Sequence, residues 1–217
     1  MAKKIPLQKG LFISFEGGEG VGKSTQIKLL AISLEREGFT VRCVREPGGT
    51  KIGEAIRTIT HDVTNTMMNY RAEALLLAAG RAQVVAEVYQ PLLDKKQIVL
   101  ADRYVDSSYV YQGVGRGLGY DAIKKINDFA INGLMPDITF LLDIDYEEGQ
   151  RRRHISDKVD RLDLQKKSFY KAVEKGYHEI ALLYKKRIVT IDADRDIQAV
   201  HNSIYEHTLK YIQRYLI

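Results

Sequence analysis

Residues 17–25 read GGEGVGKST and fit the pattern G-x-x-x-x-G-K-[S/T]. The apolar run Leu11–Phe15 precedes this stretch, and a helical pattern with one apolar face follows it as far as Gly38. A strand, a glycine-rich loop and a helix in this order form a phosphate site, because loop N–H groups and the helix N-terminus favour an anion. We therefore expect a nucleoside triphosphate to bind here, with Lys23 on its outer phosphates and Ser24 on Mg²⁺. The expected contacts come from the whole loop: Gly17, Gly18, Glu19, Gly20, Val21, Gly22, Lys23, Ser24 and Thr25.

Five apolar segments alternate with helical patterns along the chain. The predicted strands are residues 11–15, 40–44, 97–101, 138–143 and 187–192, and the predicted helices include 52–59, 69–93, 121–132, 147–154, 165–185 and a last one from about 197. A polar, glycine-containing segment fills residues 105–120. Apolar strands separated by helices predict a parallel sheet covered on both faces. The expected fold is α/β, a P-loop NTPase three-layer sandwich with five parallel strands. The length predicts one domain, 1–217, with a short lid at about 147–164.

Composition narrows the classes of partner. The net charge of +5 suits an anionic ligand, but the basic residues are scattered among 28 acids, so phosphorylated small molecules fit as well as nucleic acid. Cys43 is the only cysteine and lies in an apolar run, which predicts a buried thiol and a reducing compartment. No apolar run approaches a membrane span. We expect a cytoplasmic enzyme with no membrane partner. Four histidines lack metal-ligand spacing and are expected at the surface or as capping groups: His61, His178, His201 and His207.

The later loops separate the P-loop classes. The N-K-x-D pattern of GTPases is absent, and the chain is short for an ATPase core with its arginine finger. Four separate arginines instead fall at strand ends or on the helices between them: Arg45, Arg57, Arg81 and Arg103. A second anionic substrate facing the P-loop would need such groups, because guanidinium binds phosphate bidentately. This pattern favours a small-molecule kinase.

Four further features make the chain resemble the bacterial thymidylate kinases. They are FEG followed by the P-loop, REPGGT at 45–50, EALLLAAGRAQ at 73–83 and DRYVDSSYVYQG at 102–113, and DRLD at 160–163 fits the end of the family's lid. The resemblance spans almost the whole chain. It implies Mg²⁺-dependent transfer of the ATP γ-phosphate to dTMP, giving dTDP and ADP for dTTP synthesis. It also implies a homodimer formed through long helices, including residues 69–93.

The resemblance also implies residue roles in the acceptor site. Arg81 and Arg103 would hold the dTMP phosphate, with Arg57 nearby, while Arg45 and Pro47 belong to the substrate-binding REPGGT segment. Gln112 and Ser108 would meet the thymine edge, and Tyr111 would pack under the deoxyribose and exclude a 2′-hydroxyl. Leu77 stands where the family usually has a phenylalanine that stacks on thymine. Three carboxylates are candidates for Mg²⁺, its waters or the sugar hydroxyl: Glu16, Glu19 and Asp102.

Catalysis needs no general base, because the dTMP phosphate is already anionic at neutral pH. Lys23, Arg103, Asp102 and Mg²⁺ would position the two phosphates and neutralise charge. Some relatives carry an extra arginine inside the P-loop. None lies there in this chain, so the lid must supply it, and the candidates are Arg151, Arg152 and Arg153. Aligning on Gly149 and Asp160 favours Arg152, and it puts His154 and Ser156 where some relatives have further arginines.

Three alternatives remain open. A kinase for another monophosphate, such as dUMP, is the nearest, although Gln112, Tyr111 and the paired arginines argue against it. A regulatory P-loop protein would keep Lys23 but need no acceptor site. A basic nucleic-acid-binding protein would show steeply salt-dependent binding without ATP. It ranks last, and we expect no nucleic-acid partner.

Overall fold

A single parallel sheet forms the centre of the molecule. The computed structural model describes residues 5–153 and 160–216. Within them the strands are β1 (Leu11–Glu16), β2 (Val41–Arg45), β3 (Ile98–Asp102), β4 (Ile138–Asp143) and β5 (Ile188–Asp192), in the order β2-β3-β1-β4-β5. Each strand begins and ends within about one residue of its predicted bounds. The five-stranded parallel sheet is confirmed.

Helices cover both faces of this sheet. They are α1 (Lys23–Arg36), α2 (Lys51–His61), α3 (Tyr70–Val84), α4 (Gln90–Asp94), α5 (Val105–Ser108), α6 (Tyr120–Ile131), α7 (Tyr146–Arg153), α8 (Lys167–Leu183) and α9 (Ile197–Ile212). Side chains alternate along β1, so Ile13 and Phe15 pack with α1 and α9, whereas Phe12 packs on the opposite face with α3, α6 and α8. The three-layer sandwich is confirmed.

Two segments differ from the prediction. Residues 105–120 hold α5 and a π-helical turn, Tyr109–Gly115, because their aromatic side chains are buried against α8 and α6. The predicted helix 69–93 is divided into α3, a π-helical turn over Val85–Tyr89, and α4. Pro91 lies at the start of α4 and has no N–H, so it removes a helical hydrogen bond and disturbs the preceding turn.

The expected burial is wrong for Cys43 and His201. Cys43 is exposed, because β2 is an edge strand whose middle residues are not covered. His201 is buried between α9 and α1 and lies 3.0 Å from Ser33 Oγ through its Nε2. In the described ranges, no helix combines the length and apolar character needed to cross a membrane.

The carboxyl ends of the strands meet at one edge, which is where ligands bind in open α/β sheets. The P-loop follows β1, Arg103 follows β3, and Glu46 and Pro47 follow β2. The parallel register aligns Phe15 with Asp102, and the Arg103 N–H donates to the Phe15 carbonyl at 3.0 Å. These contacts hold the ends of β1 and β3 side by side. The middle of the predicted lid, with His154 and Ser156, lies outside the described residues.

Candidate active site

The loop between β1 and α1 presents an anion cradle. Gly22 precedes α1 with a left-handed backbone, φ 91°, and the first turn of α1 has no side-chain cap, which leaves its N–H groups for a ligand. Lys23 is buried and donates to the carbonyls of Gly17 at 3.1 Å and Gly18 at 2.6 Å. Burial lowers the pKa of Lys23 to about 8, and the charge of Arg103 acts in the same direction. An arriving phosphate would reverse this effect.

Hard oxygen atoms meet at the start of α1. Ser24 Oγ donates to Asp102 Oδ2 at 2.8 Å, and both residues line a groove along the P-loop with Glu19 and the exposed Thr25. Hydroxyl and carboxylate oxygens are the ligands that Mg²⁺ prefers, and Mg²⁺ usually takes few protein ligands beside waters and phosphates. Across the described part of the chain, no three His, Cys, Asp or Glu residues form a metal cluster. The pair fits a magnesium ion shared with a nucleotide.

Arg103 occupies the junction of the P-loop and β3. Its backbone is left-handed, φ 71°, an uncommon state for a residue with a Cβ. The guanidinium contacts Glu19 at 2.5 Å and the Gly17 carbonyl at 3.1 Å, and it lies 5.0 Å from the Tyr111 ring centroid. Burial would raise the pKa of Glu19, but Arg103, Lys23 and Arg153 outweigh it and lower that pKa to about 2. Glu19 therefore stays ionised and forms an ion pair with Arg103.

A second cavity, of about 750 Å³ including its open mouth, adjoins the P-loop groove. Most of the predicted substrate residues line it: Pro47, Arg57, Leu77, Arg81, Arg103, Ser108, Tyr111 and Gln112. The cavity and the groove share Glu19, Glu46, Arg57 and Arg103 as walls. The two adjoining compartments therefore meet at a boundary that carries two arginines and two glutamates.

Arg81 lines the cavity but not the P-loop groove. Its guanidinium donates to Glu46 at 2.8 Å, to Ser108 Oγ at 2.8 Å and to the Tyr104 carbonyl at 3.1 Å, and it also contacts Asn127. The side chain is almost fully buried. These partners fix Arg81 beside Ser108.

Other predicted residues lie outside the cavity wall. Arg45 is exposed and forms a two-pronged ion pair with Glu54 at 2.9 and 2.8 Å, on the groove side. Glu16 is buried beneath the site and accepts bonds from the Tyr104 N–H at 2.7 Å and Ser107 Oγ at 2.6 Å. Val21 is buried under the P-loop. The structure does not bring Arg45 or Glu16 into the cavity.

The three consecutive arginines of α7 point in different directions. Arg151 is exposed and pairs only with Glu148 among the described residues. Arg152 donates to the Ala193 carbonyl at 2.8 Å and to Asp194 at 3.0 Å, in the loop after β5. Arg153 pairs with Asp163, and its charge reaches Glu19. Of the three, Arg153 is the one whose charge helps to lower the pKa of Glu19 in the P-loop.

A backbone contact joins α7 to the P-loop. Gly20, whose φ is 73°, packs directly against the backbone of Gly149. A Cβ added to Gly149 would lie 2.6 Å from the carbonyl oxygen of Glu19. Only glycine allows this approach. The contact sets the distance between the P-loop and the helix that carries Arg153.

The sequence reading missed several cavity residues. Glu73, His61 and Arg161 line the wall, and Arg116 binds Glu73 behind it at 3.2 Å. Burial and then the charge of Arg57 lower the pKa of His61 to about 4, so its ring is neutral at physiological pH. Glu73 and Arg161 do lie in the segments that carry the family resemblance. No local spacing indicates that they meet.

Comparison with known proteins places these features in one family. The family model described as thymidylate kinase matches residues 15–204. The thymidylate kinase of Halothermothrix orenii is 46% identical over 205 residues, covering 93% of this chain and 97% of that protein. That of Bacillus licheniformis is 44% identical over 206 residues, covering 93% and 97%. The crystal structure of thymidylate kinase from Ehrlichia chaffeensis superposes with a TM-score of 0.75 at 32% identity, covering 92% of this chain and 98% of that one.

Proposed function

Because this chain belongs to the thymidylate kinase family and transfers the γ-phosphate of ATP to dTMP, giving dTDP and ADP, we propose how its residues divide that work. ATP binds in the P-loop groove and dTMP in the adjoining cavity. The observation that carries this assignment is the wall that the groove and the cavity share, which includes both Arg57 and Arg103. Two phosphates meeting there would be held in line, and their repulsion would be offset by fixed cations.

Arg103 holds the acceptor phosphate, with Arg57 beside it. It contacts the Gly17 carbonyl of the P-loop, so it stands where the γ-phosphate must arrive. Arg81 was predicted for the same phosphate, but its contact with Ser108 supports a place at the base end of dTMP. Tyr111, under the Arg103 guanidinium, packs against the sugar, and Gln112 with Ser108 meets the thymine edge.

The donor side rests on Lys23 and on a magnesium ion. Ser24 and Asp102 would hold Mg²⁺, with Glu19 as the further oxygen ligand predicted from the sequence. When bound, the ion neutralises charge on the phosphates. Lys23 exchanges its bonds to Gly17 and Gly18 for phosphate oxygens. Its lowered pKa then rises, because an anion replaces a neutral partner.

Arg153 supplies the additional cation from the lid. Its charge lowers the pKa of Glu19 in the P-loop, which supports this choice over Arg152, the residue that alignment favoured. Arg152 instead ties α7 to Ala193 and Asp194.

We further assign residues 1–217 to one kinase domain with its lid at about 147–164. We also propose a cytoplasmic location and a homodimer, and the exposed apolar side chains on α3 and α6 support the dimer.

The test is ADP release from ATP and Mg²⁺ with dTMP, dUMP, dCMP, dGMP or no acceptor. We expect strong release with dTMP, and acceptor-independent release would contradict the two-compartment site.

Arg153→Ala should lower kcat by roughly 100-fold, as expected when a group that stabilises transferring phosphate is removed. Arg151→Ala is the matched control on the same helix and should leave kcat unchanged. A loss confined to Arg152→Ala would return the catalytic role to that residue.

A further inference from the structure

Glu73, on α3, is a buried carboxylate with three partners from distant parts of the chain. It accepts from Gln112 Nε2 at 2.9 Å and from Arg116 Nε and Nη2 at 3.3 and 3.2 Å, and it pairs with Arg161. Burial would raise the pKa of Glu73, but the hydrogen bonds from Arg161 and Gln112 and the charge of Arg116 lower it overall. The carboxylate is therefore ionised at neutral pH.

An ionised carboxylate can only accept hydrogen bonds. The group of Gln112 that faces Glu73 must then be the amide nitrogen and not the oxygen, so chemistry fixes which way the amide points. Gln112 is buried, lines the cavity and has no hydrogen bond to its Oε1 within residues 5–153 and 160–216. Its carbonyl oxygen and its second amide hydrogen are left for a ligand.

We propose that Glu73 is a positioning residue that fixes the amide orientation of Gln112 and so makes the cavity prefer the thymine edge over the cytosine edge. This rests on the proposed function, in which Gln112 meets the base. Arg116 and Arg161 hold the carboxylate in turn, and Arg161 is itself anchored by its Nε to the Thr60 carbonyl at 2.9 Å. The Glu73 carboxylate is thus held by Arg116 and Arg161 while it accepts the hydrogen bond from Gln112.

The two bases differ in the pattern that an amide reads. Thymine offers a donor at N3 and an acceptor at O4, whereas cytosine offers an acceptor at N3 and a donor at its 4-amino group. A primary amide can match either pattern if it can turn over, because its oxygen and nitrogen exchange places. An amide held by Glu73 can match only one. Since dTMP is the substrate, the fixed orientation should leave dCMP with unpaired polar groups, which is costly in a buried site.

The experiment compares kcat/KM for dTMP and dCMP at saturating Mg-ATP. Glu73→Gln introduces a side chain that can donate as well as accept, so Gln112 can be held either way round. We expect the dTMP/dCMP ratio to fall by roughly tenfold or more, mostly through KM. Glu73→Asp keeps the charge for both arginines but is one methylene shorter and should release Gln112 with the same fall in ratio. This second variant keeps the test valid if Glu73→Gln does not fold.

A double-mutant cycle separates positioning from a structural role. If Glu73 acts through Gln112, Glu73→Gln should leave the dTMP/dCMP ratio unchanged in a Gln112→Ala background. Gln165→Ala is the matched control, because Gln165 accepts from Arg116 at 2.6 Å in the same cluster but does not contact Gln112, and the ratio should stay at its wild-type value. Equal losses for both substrates in Glu73→Gln and Glu73→Asp would overturn the proposal. An unchanged KM for dTMP in Gln112→Ala would instead overturn the base-site assignment.

Discussion

Leu77 gives the cavity an aliphatic wall from α3, half-buried between the substrate space and the helix. An aromatic ring at this position could stack on thymine, a contact worth about 1–3 kcal/mol per base in nucleic-acid complexes. Leu77→Phe should therefore lower the KM for dTMP by roughly tenfold with little change in kcat. Steady-state kinetics on dTMP checks this, with Leu77→Met as an aliphatic control. An unchanged or raised KM would show that the wall has no room for the ring.

Glu16 predicts a pH-dependent stability. Its burial and the nearby Asp106 raise its pKa in the folded protein to about 7, against 4.5 as the ordinary value. Between these values the unfolded chain releases a proton that the folded protein keeps, so the free energy of unfolding falls as pH rises, on the order of 3 kcal/mol in total. Above pH 7 the contribution is constant.

Urea unfolding of the wild type and Glu16→Gln at pH 5, 6, 7 and 8 measures this difference. The variant has no group that titrates at this position. As pH rises to 7, the free energy of unfolding of the variant should therefore increase relative to that of the wild type. Parallel curves for the two proteins would contradict the assignment of the raised pKa to Glu16.

Sequence reasoning finds residues that belong to a local motif and misses those that meet only in the fold. Lys23, Ser24, Arg103 and Gln112 stand in recognisable runs and do lie on the groove or the cavity. Arg161 and Glu73 are 88 positions apart and form their ion pair only because the end of the predicted lid returns to α3. No spacing rule could have joined them. The opposite directions of Arg152 and Arg153 likewise depend on their neighbours in space.

At the scale of elements, the contact between the P-loop and α7 depends on Gly149. The backbone of Gly149 lies in a helix, so alanine fits its conformation, and the added Cβ would meet the Glu19 carbonyl at 2.6 Å. Gly149→Ala should therefore push α7 and Arg153 away from the P-loop and lower kcat by roughly 10- to 100-fold.

Steady-state assays at saturating ATP and dTMP measure this change in kcat. The melting temperature of the variant shows whether it keeps the fold. Gln150→Ala, the next position on α7, is the control and should keep wild-type kcat. If Gly149→Ala also turns over at the wild-type rate, the contact does not set the position of Arg153.

The elements themselves were predictable where one signal dominates. Continuous apolar runs gave the strand positions, because strands buried on both faces admit few polar residues. Residues 105–115 were not predicted as helical, since their glycines and hydroxyl groups read as a loop, yet burial of Tyr109 and Tyr111 decides their structure. The predicted burial of Cys43 was wrong for a related reason. An apolar run does not show whether its strand lies at the edge or in the centre of the sheet.

For the whole molecule, two exposed apolar side chains lie on the surface proposed for dimerisation. Phe129 on α6 is 91% exposed and Leu75 on the adjacent α3 is 57% exposed. Burying them against a second copy would remove apolar area from water and favour a dimer. Phe129→Asp should shift the mass measured by light scattering from about twice 24.7 kDa to 24.7 kDa.

Leu182→Asp provides the control, because Leu182 is 77% exposed but belongs to α8, a different helix from α3 and α6. It should leave the dimer intact. A wild-type protein that already runs at 24.7 kDa at micromolar concentration would refute the dimer directly.

The junction at Glu73 also limits how this enzyme can evolve. One carboxylate contacts Gln112, the amide proposed to meet the base, together with Arg116 behind the cavity and Arg161 at the end of the lid. If Glu73 orients the amide as proposed, a mutation of Glu73 that changed the preference for one pyrimidine would also loosen the contact with Arg161 at the end of the lid. New substrates should therefore be gained by changes at the free wall around Leu77, while the junction is inherited as a unit.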